Sequence, residues 1–140
     1  MKQRKSGWCD PRNIPVTAYY TYKCLRPLVA YFRKRVVVTD PALRGNSAEF
    51  FNTLFTAQAV GPIDSIVRIV CAMNVMPAPS DEDVRRRQEI VYGQDSAIVD
   101  IQRPERIPLD LRHELHHSTD LLSIKYRRWM KDIGVSYGTV

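Results

Sequence analysis

The sequence predicts a mainly α-helical domain of four or five helices, with one short β-hairpin at most and extended terminal arms. Three observations predict it. The stretch 108–133 has the start, the stop and the two faces of a helix. The run 63–76 is apolar almost all round, as a buried helix would be. Ser80, with Asp83 three residues on, looks like a helix cap.

In chain order, residues 1–15 read as a basic, irregular N-terminal arm, and residues 16–140 as a single globular domain. Arg4, Lys5 and Arg12 supply charge to the arm, and Trp8 could anchor it in an apolar pocket of a partner; a solvated terminus is the plainer reading. Residues 16–34 hold Tyr22, Leu25, Val29 and Phe32 at helical spacing, which predicts one helix kinked at Pro27. Its interleaved cations and aromatic rings suit nucleic acid, or equally a core with cations reaching outward. Residues 35–39 are either a short β-branched strand or an extended linker.

Gly45-Asn46-Ser47 forms a turn with a capping serine, and a helix follows over 47–59 with Phe50, Phe51, Leu54 and Phe55 at core spacing. Gly61-Pro62 closes it and opens the next helix, over 63–76, with Val70 at the centre of the core. That helix is roughly 21 Å long, too short to span a membrane. Met76-Pro77-Ala78-Pro79 is a stiff connector. The helix capped by Ser80 gains the pairs Glu82–Arg86 and Asp83–Arg87, four residues apart. Its Arg85-Arg86-Arg87 run suits a phosphate or an acidic partner, and equally a solvated face. Residues 89–92 and 97–101 are candidate strands joined at Gly93-Gln94-Asp95-Ser96. Residues 103–108 form an extended connector, because two prolines prevent a continuous helix.

The last helix, 108–133, starts at Pro108, with Asp110 near its positive end and Lys125, Arg127, Arg128 and Lys131 near its negative end. Gly134 is the stop. At about 100° per residue, Leu111, Leu115, Leu122, Tyr126, Trp129 and Ile133 fall on one stripe. His113, His117, Asp120, Arg127 and Lys131 lie opposite.

Composition narrows the function classes. A chain of 140 residues that is 44% hydrophobic and 26% charged is too apolar for wholesale disorder. Lys and Arg outnumber Asp and Glu by 21 to 15, a net charge of +6 that favours RNA, anionic lipid or acidic protein surfaces. Cys9, Cys24 and Cys71 form no CxxC pair, which argues against a disulfide scaffold or a zinc knuckle and for a reducing intracellular compartment. No apolar run approaches the roughly 20 residues that cross a bilayer. The first residues lack the apolar core of a secretory signal.

His113-Glu114-Leu115-His116-His117 fits the pattern H-E-x-x-H. On a helix, positions i and i+4 place two imidazoles on one face, able to share a zinc ion, with the glutamate as general base on a bound water. This stretch resembles the zincin metallopeptidases, particularly those with an H-E-x-x-H-x-x-D spacing. The resemblance implies His113, His117 and Asp120 as metal ligands and Glu114 as the catalytic base. The downstream glutamate, glycine and third histidine of the commoner zincins are absent.

A second resemblance rests on Phe32-Arg33-Lys34 followed by Val38-Thr39-Asp40-Pro41, which looks like a segment of a LYR-family accessory subunit of mitochondrial complex I. It implies a small basic accessory protein within a large assembly. The reading carried forward is a non-catalytic subunit, without cofactor, that stabilises a mitochondrial respiratory-chain complex or ribosome. Its protein or RNA neighbours would meet Arg4, Lys5, Trp8, Arg12, Arg85, Arg86 and Arg87. The alternative is a zinc-dependent metallohydrolase.

Overall fold

The computed structural model describes residues 4–5, 15–42, 49–75 and 77–140. Its elements are β1 (Arg4–Lys5), β2 (Pro15–Arg26), β3 (Val29–Val38), β4 (Glu49–Ala59), β5 (Ser65–Met73), α1 (Asp81–Val99), a 3-10 turn (Leu111–His113) and α2 (Leu121–Asp132). Each strand pairs antiparallel with its sequence neighbour, so the sheet is a meander of four long strands with the two-residue β1 at one edge. The expected bundle of four or five helices is therefore wrong.

The physical reason is an ambiguity of period. Tyr22, Leu25, Val29 and Phe32 do sit at helical spacing, but the stretch around them is dense in β-branched and aromatic residues that favour a pleated surface. Pro27 does not kink a helix: with Leu28 it makes the two-residue turn between β2 and β3, where Arg26 opposes Val29. Leu28 takes a left-handed φ of 61°. Its N–H donates to the Tyr126 hydroxyl at 3.0 Å, and its carbonyl accepts from the Ala57 N–H at 2.8 Å. Of the two readings of 35–39, the strand is realised as far as Val38.

The described part of the presumed helix 47–59 is β4, and most of 63–76 is β5. Apolar character all round a helix and on both faces of a strand cannot be separated by composition alone. Along β5 the two faces differ: Val67, Ile69, Cys71 and Met73 are half-buried, while Ile66, Arg68, Val70 and Ala72 are exposed. Val70 is 61% exposed and so is not the centre of a core. Gly61-Pro62 lies in the β4–β5 turn, where the Val60 and Gly61 N–H groups both donate to the Asp64 carbonyl.

The candidate hairpin over 89–101 falls almost entirely inside α1. Ser80 caps that helix as expected, its side chain accepting from the Asp83 N–H at 3.1 Å and donating to the Asp83 carboxylate at 2.6 Å. Once nucleated there, the helix extends through Gly93-Gln94-Asp95-Ser96, each added residue needing only propagation.

The reverse happens at 108–133, where one long helix is replaced by the 3-10 turn, an irregular stretch and α2. Short polar side chains take the backbone donors that a helix would need. The Asp110 carboxylate accepts from the Arg112 N–H at 3.0 Å, and that of Asp120 accepts from the His117 N–H at 2.7 Å. Gly134 does end α2, with a φ of 73° and its N–H donating to the Lys131 carbonyl. Beyond it the chain turns back: Ile107 bridges Thr139 in parallel, and the N–H groups of Leu109 and Val140 close the contact.

Residues directly opposite in adjacent strands share a face. The register therefore puts Val16, Ala18, Val36, Phe51, Thr53 and Cys71 on one side of the sheet. Val16, Val36, Phe51 and Thr53 on that side are buried, together with Val75 and the α2 residue Met130. The opposite side carries Tyr19, Lys23, Arg33, Arg35, Asn52 and Arg68.

Candidate functional site

The histidine constellation does not form the arrangement that helical spacing implied. His113 ends the 3-10 turn, and residues 114–120 are not helical, so positions 113 and 117 share no helix face. The His116 ring Nε2 lies 3.1 Å from the Leu111 carbonyl oxygen. The His117 Nδ1 lies 3.3 Å from the Thr119 hydroxyl. Asp120 spends its carboxylate on the His117 N–H and on the Thr119 hydroxyl. Among the described residues, no three His, Cys, Asp or Glu side chains stand close enough to hold a metal ion together.

Glu114 is engaged elsewhere. Its carboxylate receives Arg127 Nη2 at 2.6 Å on one oxygen and 2.9 Å on the other. Both side chains are largely covered, so the pair links the irregular stretch to α2 in a partly desolvated setting. Arg127 also donates from Nη1 to the Ser123 carbonyl, while its buried Nε has no hydrogen-bond partner.

Among the described residues, a cleft of about 650 Å³ lies between α1 and the sheet. Phe51 of β4, Met73 of β5 and then Val75, Pro77 and Pro79 make an apolar wall. The facing wall is one stripe of α1, Asp83, Arg86 and Arg87, Ile90 and Val91, then Gln94. Steps of three and four residues bring these side chains to a single helix face. Pro77 and Pro79 fix the path between the walls, and the Ser80 cap fixes where the helix begins. The result is the usual make-up of a small-molecule site, apolar surface with a few directed polar groups.

Of the residues expected to meet a partner, Arg86 and Arg87 line this cleft and Arg85 does not. Arg4 and Lys5 form β1 against Val16 and Pro15, so that part of the arm is strand rather than irregular. Trp8 and Arg12 lie outside the described residues. Phe51, Met73, Val75 and Gln94 were not foreseen as site residues; only the strand alternation of Phe51 and Met73 could have placed them on one face. Near the apolar wall, burial pushes the Cys71 thiol pKa up, and its hydrogen bond with Thr53 partly opposes this. Burial likewise raises the Cys24 thiol. Both thiols are held in the protonated, weakly nucleophilic form.

No protein-family model matches the chain. It is similar to a probable methylxanthine N7-demethylase, NdmC, of Pseudomonas sp. (strain TJI-51), with 34% identity over 126 residues. The alignment takes in 89% of the chain and 42% of that relative, so the chain spans about two fifths of the relative's length. Similarity to a bacterial enzyme overturns the expectations of a non-catalytic mitochondrial accessory subunit and of a mitochondrial location, and it gives the zinc hydrolase reading no support. No helix among the described residues is long and apolar enough to cross a membrane.

Proposed function

We propose that this chain is the heterocycle-holding part of an enzyme that removes a methyl group from a ring nitrogen of a purine-like substrate. The observation that carries the reading is the 34% identity, over 89% of the chain, to a protein described as a methylxanthine N7-demethylase. The cleft between α1 and the sheet supports it. A methylxanthine is a flat bicycle with two ring carbonyl oxygens, and it needs apolar surface for its faces and donors for its edge. Phe51, Met73 and Val75 supply the first. Arg86, Arg87 and Gln94 supply the second, since guanidinium and amide N–H groups donate to carbonyl oxygens. The cleft volume lies within the range of about 300–1,000 Å³ typical of small-ligand sites.

The role assigned to these residues is binding and orientation, with the methylated nitrogen presented to the reacting groups of the complete enzyme. Holding a reactant in one geometry is itself a large part of rate acceleration.

Titration calorimetry of the folded chain with 7-methylxanthine tests the reading. A dissociation constant of about 1 µM–1 mM is expected, in the range of ordinary enzyme substrates. Gln94→Ala and Arg86→Ala should each weaken binding by about tenfold, the loss of one directed hydrogen bond. Val91→Trp, which fills the cleft from the helix side, should abolish it. A folded chain that binds no methylxanthine, or binds equally in all three variants, would refute the assignment.

A further inference from the structure

The sheet has a second face, and its chemistry differs from that of the cleft. The four long strands contain one acidic residue, Glu49, and its partner in the register is the buried Val36, which places it on the covered side. Among the described strand residues, the open side carries Lys23, Arg33, Arg35 and Arg68, all exposed, and no carboxylate. Arg33 and Arg35 are two positions apart on one strand, about 7 Å along it, so like charges stand side by side.

How these cations are held is informative. The Arg33 guanidinium lies 4.7 Å from the centre of the Phe50 ring, and its Nε donates to the Asn52 side-chain carbonyl at 3.0 Å. Tyr31 donates to the same oxygen at 2.6 Å. Arg35 sits 5.8 Å over the Tyr19 ring, and Arg68 donates to the Gln58 amide oxygen. Elsewhere in the chain arginines meet carboxylates: Arg103 with Glu105, Arg112 with Asp110, Arg127 with Glu114. On the open face the positive charge is oriented by neutral groups and, among the described residues, left uncompensated. Guanidinium groups fixed in this way lose less freedom when they accept a carboxylate in fork geometry.

We propose that this open face docks an acidic, carboxylate-bearing surface of a partner protein. Three observations favour that occupant. Four cations without an acidic neighbour among the described residues make the face complementary to negative charge. Of the aromatic rings on this face, Tyr19 and Phe50 already have guanidinium groups lying over them, and Tyr31 is half-buried with its hydroxyl bonded to Asn52, which disfavours stacking of single-stranded nucleic acid. A second copy would set the same positive face against itself. The surface is separate from the cleft, so the two assignments stand or fall independently.

The test uses a short fluorescein-labelled oligoglutamate peptide as the probe, with fluorescence anisotropy read at low ionic strength and again near 0.15 M salt, roughly physiological. The wild-type chain should bind and weaken with salt. Reversing charge on the face, Arg33→Glu with Arg35→Glu, should lower affinity by at least about tenfold. Lys23→Glu with Arg68→Glu, at the exposed rim, should do the same and keeps the test decisive if the first pair disturbs folding. Reversal of the same number of charges at Arg85 and Arg128, on the two helices, should change affinity by less than about twofold. Equal losses in all three double variants would mean that only net charge matters, and would overturn the proposal. So would tighter binding of a single-stranded oligonucleotide that depends on Arg33 and Arg35, or salt-independent binding of the peptide.

Discussion

Strand β4 and helix α1 are held in place in opposite ways. β4 is bonded along both edges, to β3 and β5, and its Phe51 and Thr53 are 8% and 2% exposed. α1 has no buried residue; its Ile90, Ile98 and Val99 are 57%, 61% and 61% exposed. The helix owes its shape to local devices: the Ser80 cap and three acidic residues in the first turn. The sheet owes its shape to pairing between successive strands across their turns. Disturbance of the meander should therefore spread through the molecule, and disturbance of α1 should stay local, altering the cleft without undoing the fold.

The sharpest way to break that contrast is to bury a charge. Val36→Asp places a carboxylate at a position only 5% exposed on the covered face, directly opposite Glu49, and should cost about 3–5 kcal/mol, enough to unfold the domain in thermal melts. Val70→Asp, on exposed β5 surface, should stay within about 0.5 kcal/mol of wild type. Equal effects would show that the two faces are not distinct. Glu114→Gln removes the charge opposite the largely covered Arg127, and should cost about 1–3 kcal/mol by urea unfolding. Full rescue by adding Arg127→Gln would confirm that the loss is an orphaned charge.

Ser80→Ala should cost about 1 kcal/mol, seen as faster amide exchange in the first turns of α1 with β4 protection unchanged. Exchange that rises equally in both would mean that the helix is not locally governed. The mildest effect concerns pH. Hydrogen bonds from Arg112 hold the Asp110 carboxyl well below the usual carboxylate range, so the group is ionised in the folded chain at all but strongly acid pH. Because the folded value is depressed, its contribution is complete above the unfolded value of roughly 3.9 and is lost as pH falls through the folded one. Carbon NMR of the Asp110 carboxyl should show a midpoint well below the ordinary carboxylate range, and Arg112→Ala should return it to near the ordinary value.

What could be read from the sequence follows the same division. Ser80 and Gly134 were placed correctly because a cap and a stop are decided by a few neighbouring residues. The run Arg85-Arg86-Arg87 reads as a partner contact or a solvated face, and the structure places Arg86 and Arg87, but not Arg85, along the cleft. The strands were not legible, because the apolar positions in 16–34 and 63–76 satisfy a helical period and a strand period at once. Only pairing with a neighbour decides between them, and a pattern within one segment does not contain it. The histidine pattern failed from the other side. Its chemistry required a helix, and Asp110 and Asp120 gave the local backbone a different set of acceptors.

Leu28 carries a consequence for the order in which the sheet assembles. A two-residue turn normally closes first, because loop closure costs least for short loops. Here the second turn residue is a leucine in the left-handed region, a conformation that costs roughly 1–2 kcal/mol for a residue with a Cβ. The N–H of that residue is satisfied by Tyr126, 98 positions away. The shortest connection in the meander thus depends on its most distant support. The β2–β3 turn is expected to form late, after α2 has docked, while β4 and β5 pair early. Kinetic φ-values should then be low for Leu28→Ala and Tyr126→Phe and high for Thr53→Ala. Leu28→Gly, free of the steric penalty, should raise the refolding rate only if that turn is moved into the nucleus.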